Sequence, residues 1–191
     1  MSPIFYPPLK PTPQEIVNGG SAFPFRESFD RRYASSATQP LAGSGIMNIV
    51  SVPCYAGDII TNITFRSGTQ AAVTPTAWWF ALYNPGDAGA TLIAQTADQT
   101  TTAWAATNTK TLALVGGPFT IPTTDTYNVG IMMAAGTMIN ITGATFVMLT
   151  NALVTGQKRM TASTGSGLTT NAPGTLGALT NVSCMPYVVL S

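Results

Sequence analysis

From residue 38 onward, the chain reads as short runs of β-branched, aromatic and aliphatic residues set between turn residues. That pattern predicts strands and leaves no place for a long amphipathic helix. The runs cover residues 46–52, 59–66, 77–83, 91–96, 109–114, 127–134, 138–141, 145–149 and 182–190. In Asp58-Ile-Ile-Thr-Asn-Ile-Thr-Phe-Arg66, Ile59, Ile63 and Phe65 share one parity, while Ile60 shares the other with Asn62 and Thr64. A strand with one buried and one wetter face has this form. By contrast, Trp78, Trp79, Phe80, Ala81, Leu82 and Tyr83 are apolar on both parities, as is most of the stretch from Tyr127 to Ala135. Gly130, inside that second stretch, marks a bulge or a close approach of another group. Turn chemistry separates the runs at Asn84-Pro85-Gly86-Asp87, Gly116-Gly117-Pro118 and Pro122-Thr-Thr-Asp125. Nine short strands at this spacing predict an all-β chain folded as an antiparallel β-sandwich or jelly roll.

Three stretches depart from the strand pattern. Residues 1–25 are rich in proline (Pro3, Pro7, Pro8, Pro11) and carry no periodicity. Proline restricts φ and favours extended structure, so this segment reads as an extended N-terminal arm ahead of a sandwich domain at 26–191. A purely solvated tail has no use for Ile4, Phe5, Tyr6, Leu9, Phe23 and Phe25, and these residues are expected to contact a partner. Residues 26–36 hold five of the fifteen charged side chains (eight basic plus seven acidic). They predict either a short helix with Glu27 paired to Arg31 or a loop entering the domain. Residues 155–181 are dominated by Thr, Gly, Ser and Ala, but Leu168, Leu176 and Leu179 recur along them and predict packing down over the sandwich.

Composition narrows the function. Only 8% of the 191 residues are charged, the net charge is +1, and there is no histidine. Electrostatic nucleic-acid binding needs clustered Lys and Arg and is not expected. Histidine-dependent catalysis and His-ligated metal or haem are excluded. At 45% hydrophobic residues the chain is too apolar for disorder. No run of 18 or more apolar residues predicts a membrane helix, and the N-terminus lacks the basic start and apolar run of a secretory signal. The two cysteines, Cys54 and Cys184, are far apart and too few for a disulfide scaffold. A long-range bridge stays open, but the favoured reading is two buried thiols in a protein made in a reducing cytoplasm.

Candidate chemistry is sparse. A Ser–Lys arrangement would draw on Lys10, Lys110 or Lys158, and Lys158 lies in the Thr/Gly-rich stretch, a poor mount for catalytic geometry. The domain carboxylates Asp58, Asp87, Asp98 and Asp125 suggest no glycosidase pair, and Asp87 and Asp125 sit in turn contexts. No phosphate loop and no zinc-type cysteine cluster is present, and neither a cofactor nor a metal is expected. Aromatic platforms for a glycan are available in Trp78, Trp79, Tyr83 and Trp104. At least one of the paired tryptophans must face the core. Trp104 reads either as a lid over the sandwich end or as a ligand platform.

The order Arg26-Glu-Ser-Phe29, Ala56-Gly-Asp-Ile-Ile-Thr-Asn-Ile-Thr-Phe65 and Trp79-Phe-Ala-Leu-Tyr83 resembles a family of small virion proteins. These are encoded among the structural genes of tailed phages that infect actinobacteria. The resemblance continues through Thr102-Ala-Trp-Ala-Ala106, Lys110-Thr-Leu-Ala-Leu114, Tyr127-Asn-Val-Gly-Ile131, Thr164-Gly-Ser-Gly-Leu-Thr-Thr170 and Met185-Pro-Tyr-Val-Val189. It spans about residues 26–191, on packing and turn motifs, and does not reach the arm. It implies a non-enzymatic component of the virion surface, a capsid-decoration or minor tail protein assembled in the host cytoplasm. The implied partners are other virion proteins, such as major capsid or tail proteins, and neither nucleic acid nor membrane. A receptor- or glycan-binding tail module is the alternative. Strands apolar on both faces add the expectation of a homo-oligomer, with the trimer chosen by analogy to jelly rolls on virus surfaces.

Overall fold

Along residues 46–54, 77–83 and 127–133 one parity faces a main core, and Met47, Ile49, Ala77, Trp79, Ala81, Tyr83 and Met132 on the other face a second, smaller one. The structure, a computed structural model, describes residues 25–145, 154 and 157–191. Among them the chain forms fourteen strands and no α-helix. In order these are β1 (Arg26–Glu27), β2 (Ser35–Pro40), β3 (Ile46–Cys54), β4 (Ile59–Ile60), β5 (Asn62–Arg66), β6 (Val73–Tyr83) and β7 (Leu92–Gln95). There follow β8 (Thr109–Ala113), β9 (Phe119–Thr120), β10 (Asp125–Thr137), β11 (Asn140–Thr145), β12 (Thr161–Thr164), β13 (Cys184–Pro186) and β14 (Val188–Leu190).

One layer is the five-stranded antiparallel sheet β12-β3-β10-β6-β7. The facing layer joins β1-β14-β5-β8 to β13-β11-β2. The two halves run into each other through β13 and β14 and through the pairing of Ser67 with Ile141. A small β4-β9 pair completes the all-β sandwich. Register aligns the apolar rows, with Val50 opposite Val129 and Val129 opposite Leu82. The main core lies between the layers, where Trp78, Phe80, Leu82, Tyr127, Val129 and Ile131 meet Ile63, Phe65, Ile141, Val188 and Leu190. Pro75 sits in β6 beside a register shift at Ala134/Ala135 on β10. The shift lets pairing continue to Thr137, past the expected end at Ala134.

On the other face of the large sheet, Met47, Ile49, Trp79, Tyr83 and Met132 form the second core with Leu176, against which Leu168, Ala172 and Leu179 pack. The Thr/Gly-rich stretch therefore lies down over the sheet, as its leucines predict. Backbone and side chains fasten it. The Trp79 indole N–H donates to the Thr169 carbonyl at 2.6 Å, Tyr83 Oη to the Pro173 carbonyl at 3.0 Å, and Leu176 N–H to the Ala90 carbonyl at 2.9 Å. This corrects the premise that β6 and β10 leave a surplus apolar face for a sibling subunit: residues of the same chain cover it.

Residues 26–36 do not form the expected helix or loop. Arg26 and Glu27 pair with Leu190 and Val189, and a short 3-10 turn follows at Arg31–Tyr33. Asp30 caps that turn by accepting from Arg32 N–H at 2.9 Å. Its hydrogen bonds from Arg32 hold the carboxyl down to about 2. Glu27 accepts from Tyr187 Oη at 2.5 Å. Burial first, and this bond second, push the Tyr187 hydroxyl pKa up. The expected strand at 138–141 begins later, at Asn140. The one expected at 145–149 lies, beyond Thr145, outside the described residues.

Candidate functional site

The residues singled out from the sequence are not brought together. Ile4, Phe5, Tyr6, Leu9 and Phe23 lie outside the described residues, and Phe25 is half-buried just ahead of β1. Trp104 is 0% exposed. Its ring lies 4.8 Å from that of Trp78 and 5.7 Å from that of Phe80, and its indole N–H donates to the Asn108 carbonyl at 3.1 Å. The ligand-platform reading of Trp104 is corrected accordingly: it is a core residue. Trp78, Trp79 and Tyr83 are equally buried.

The four carboxylates weighed for a glycosidase pair, Asp58, Asp87, Asp98 and Asp125, are spent separately. Asp58 is clamped by Arg26 through two hydrogen bonds of 2.6 and 2.5 Å. Asp98 accepts from the Trp78 backbone N–H at 2.9 Å and from Thr100 Oγ1 at 2.9 Å. Asp125 accepts from Thr126 N–H at 2.7 Å and lies 3.5 Å from Lys158, and Asp87 lies 3.9 Å from Arg159. Among the described residues no group of three or more Asp, Glu, Cys or His side chains could hold a metal ion, and no helix is long and apolar enough to cross a membrane. Cys54 and Cys184 are free, buried thiols, each pushed up to about 12 by burial.

A concave feature lies at a lateral edge. At one edge the two layers are joined, where Thr96 pairs with Leu114 and Val115 N–H donates to the Gln95 carbonyl at 2.8 Å. At the other, β12 is tied to β13 by Thr161 Oγ1, which donates to the Cys184 carbonyl at 3.0 Å. Beside that tie a groove of about 740 Å³ opens between β3 and β12, the chain following β2, and residues 178–184. Pro40, Leu41 and Ile46 give it an apolar side and Ser163, Thr180 and Asn181 a polar one. Among the described residues, none that lines it is charged or aromatic.

Asn48 lies at the floor of this groove. It shares its parity with Val50, Val52 and Cys54 and faces the space between the layers, opposite Ile131 on β10 and Ser163 on β12. It is 2% exposed. Its Oδ1 accepts from Ala42 N–H at 3.1 Å, whereas its Nδ2 has no acceptor among the described residues. An amide donor buried without a partner costs about 1–3 kcal/mol, so an acceptor arriving at the floor is favoured. No motif marks this residue in the sequence. Its signal was a polar side chain at the parity that Val50 and Val52 commit to the core. No protein-family model matches the chain, and no curated protein matches it.

Proposed function

We propose that this chain is a non-enzymatic structural protein on the surface of a tailed-phage virion, a capsid-decoration or minor tail protein. In this reading it assembles with copies of itself, a trimer by analogy, and with major capsid or tail proteins. The observation that carries it is a sandwich whose apolar faces are covered from within the same chain. The sandwich fills its main core and covers the second face of its large sheet with its own side chains, and its carboxylates are spent on structural contacts. The apolar, proline-rich sequence ahead of Arg26 is then the part available for joining neighbours. Scarce charge supports the same reading, since a chain of net charge +1 resists association weakly.

The resemblance to actinobacteriophage virion proteins supplies the kind of particle. The glycan-binding alternative is weakened, because the four aromatic residues it relied on are buried. The test is mass spectrometry and cryo-electron microscopy of washed virions from the phage that encodes the chain. Density for a small β-sandwich at regular shell positions, in hundreds of copies, identifies a decoration protein; a few copies on the tail identify a minor tail protein. Absence of the chain from washed particles overturns the proposal, as does hydrolysis of cell-wall glycan or peptide by the pure protein that is lost on mutating one Asp.

A further inference from the structure

We infer that the groove at the lateral edge is a docking site for the first nine residues of a second copy of this chain. The inference rests on the arm reading above and gives the arm its acceptor. Four observations converge on that occupant.

The first is charge: among the described residues none that lines the groove is charged, and residues 1–9, Met-Ser-Pro-Ile-Phe-Tyr-Pro-Pro-Leu, carry no charged side chain before Lys10. The second is hydrogen-bonding sense. The unmatched group at the floor is a donor, Asn48 Nδ2, and Pro3, Pro7 and Pro8 have no N–H of their own but leave carbonyls free to accept. The third is shape and entropy. Proline-rich sequence is pre-set to an extended form and loses little freedom on docking, and Ile4 and Leu9 match the apolar side made by Leu41 and Ile46.

The fourth is direction. Arg26 pairs with Leu190 and Glu27 with Val189, so the chain ahead of Arg26 leaves β1 past the Ser191 end of the strand pair. The groove borders Cys184, at the opposite end of β13 and β14. At Phe25 the chain thus points away from the groove of its own subunit. Residues 10–24 span at most about 50 Å when extended, enough to cross to an adjacent copy.

The experiment uses the purified full-length protein with Phe5 replaced by the photo-cross-linker benzoylphenylalanine. Irradiation is expected to give covalent dimers whose linked peptides join position 5 to residues 40–48 or 161–184. Ala178 is exposed and lines the groove, so Ala178→Trp fills it without touching either core. That variant is expected to lose most of the dimer while keeping the native circular dichroism spectrum. Linkage within one chain, linkage outside the groove, no linkage, or dimer yield unchanged by Ala178→Trp would each overturn the inference. Because no virion is involved, the two proposals fail separately. Dimers through the groove from a chain absent from virions leave the docking site standing, and virion-bound chain without the cross-link leaves the function standing.

Discussion

Gly143 and Gly130 show how much a missing side chain can carry at a single position. A Cβ built at Gly143 would lie 2.4 Å from the Met185 carbonyl oxygen, so β11 and β13 could not keep their distance. One built at Gly130 would lie 2.5 Å from Met47 Sδ, the far end of a flexible side chain that can turn away. Overpacking costs about 1–3 kcal/mol. Gly143→Ala is therefore expected at or above the top of that range in urea unfolding, and Gly130→Ala near the bottom. The cysteines add a pH dependence. Burial raises both thiols to about 12 from an ordinary value of 9.0. A folded value above the unfolded one means that the stabilisation is complete below about pH 9 and is lost as pH rises towards 12. The slope is about 1.4 kcal/mol per pH unit for each thiol. Unfolding midpoints measured from pH 8 to 10.5 are expected to fall accordingly, with a shallower fall in Cys184→Ala. Alkylation of the denatured protein is expected to label two thiols, and a mass two hydrogens lower with no label would contradict their free state.

At the scale of elements, the strands legible in the sequence are those with strong alternation and apolar content. β3, β6 and β10 stand close to where their patterns place them, because each contributes one parity to the main core. The missed ones carry no such pattern. β12 is Thr-Ala-Ser-Thr and is buried on both sides by its neighbours, β3 and Thr180, rather than by apolar side chains of its own. β1 consists of two charged residues held in strand form by β14 and by the Arg26–Asp58 ion pair, partners far away in sequence. For the same reason, the groove could not be read from spacing. Its walls come from four separate parts of the chain, and its one sequence signal was Asn48. The covering stretch at 165–179 was legible through its leucines, and Leu176 tests it. Truncating this residue, which is 2% exposed, removes the centre of the second core. Leu176→Ala is expected to cost about 2–5 kcal/mol. Hydrogen exchange is expected to show lost protection at 168–176 before β10, which the main core still holds. Equal loss in both would mean that stretch and sandwich unfold as one unit.

For the molecule as a whole, the expected division into arm and sandwich makes a measurable forecast. The described members of the cores run from Phe29 to Leu190, and all of them are kept when residues 1–24 are removed. β1, which begins at Arg26, keeps its pairing to β14 and its ion pair to Asp58. The truncated chain is therefore expected to keep its melting temperature within a few degrees. If neighbours are joined by the arm in an uncharged groove, the truncated chain is expected to be monomeric by light scattering at micromolar concentration, where the full chain associates. It is also expected to have lost particle binding. Salt gives an independent reading of the same contact. Surface attraction between charges fades as the Debye length falls from about 10 Å at 0.1 M to about 3 Å at 1 M, whereas apolar burial does not. Association of the full chain is thus expected to persist across that range. A truncated chain that still associates or still binds particles removes the arm from the assembly, and full-length chain that is monomeric removes self-association itself.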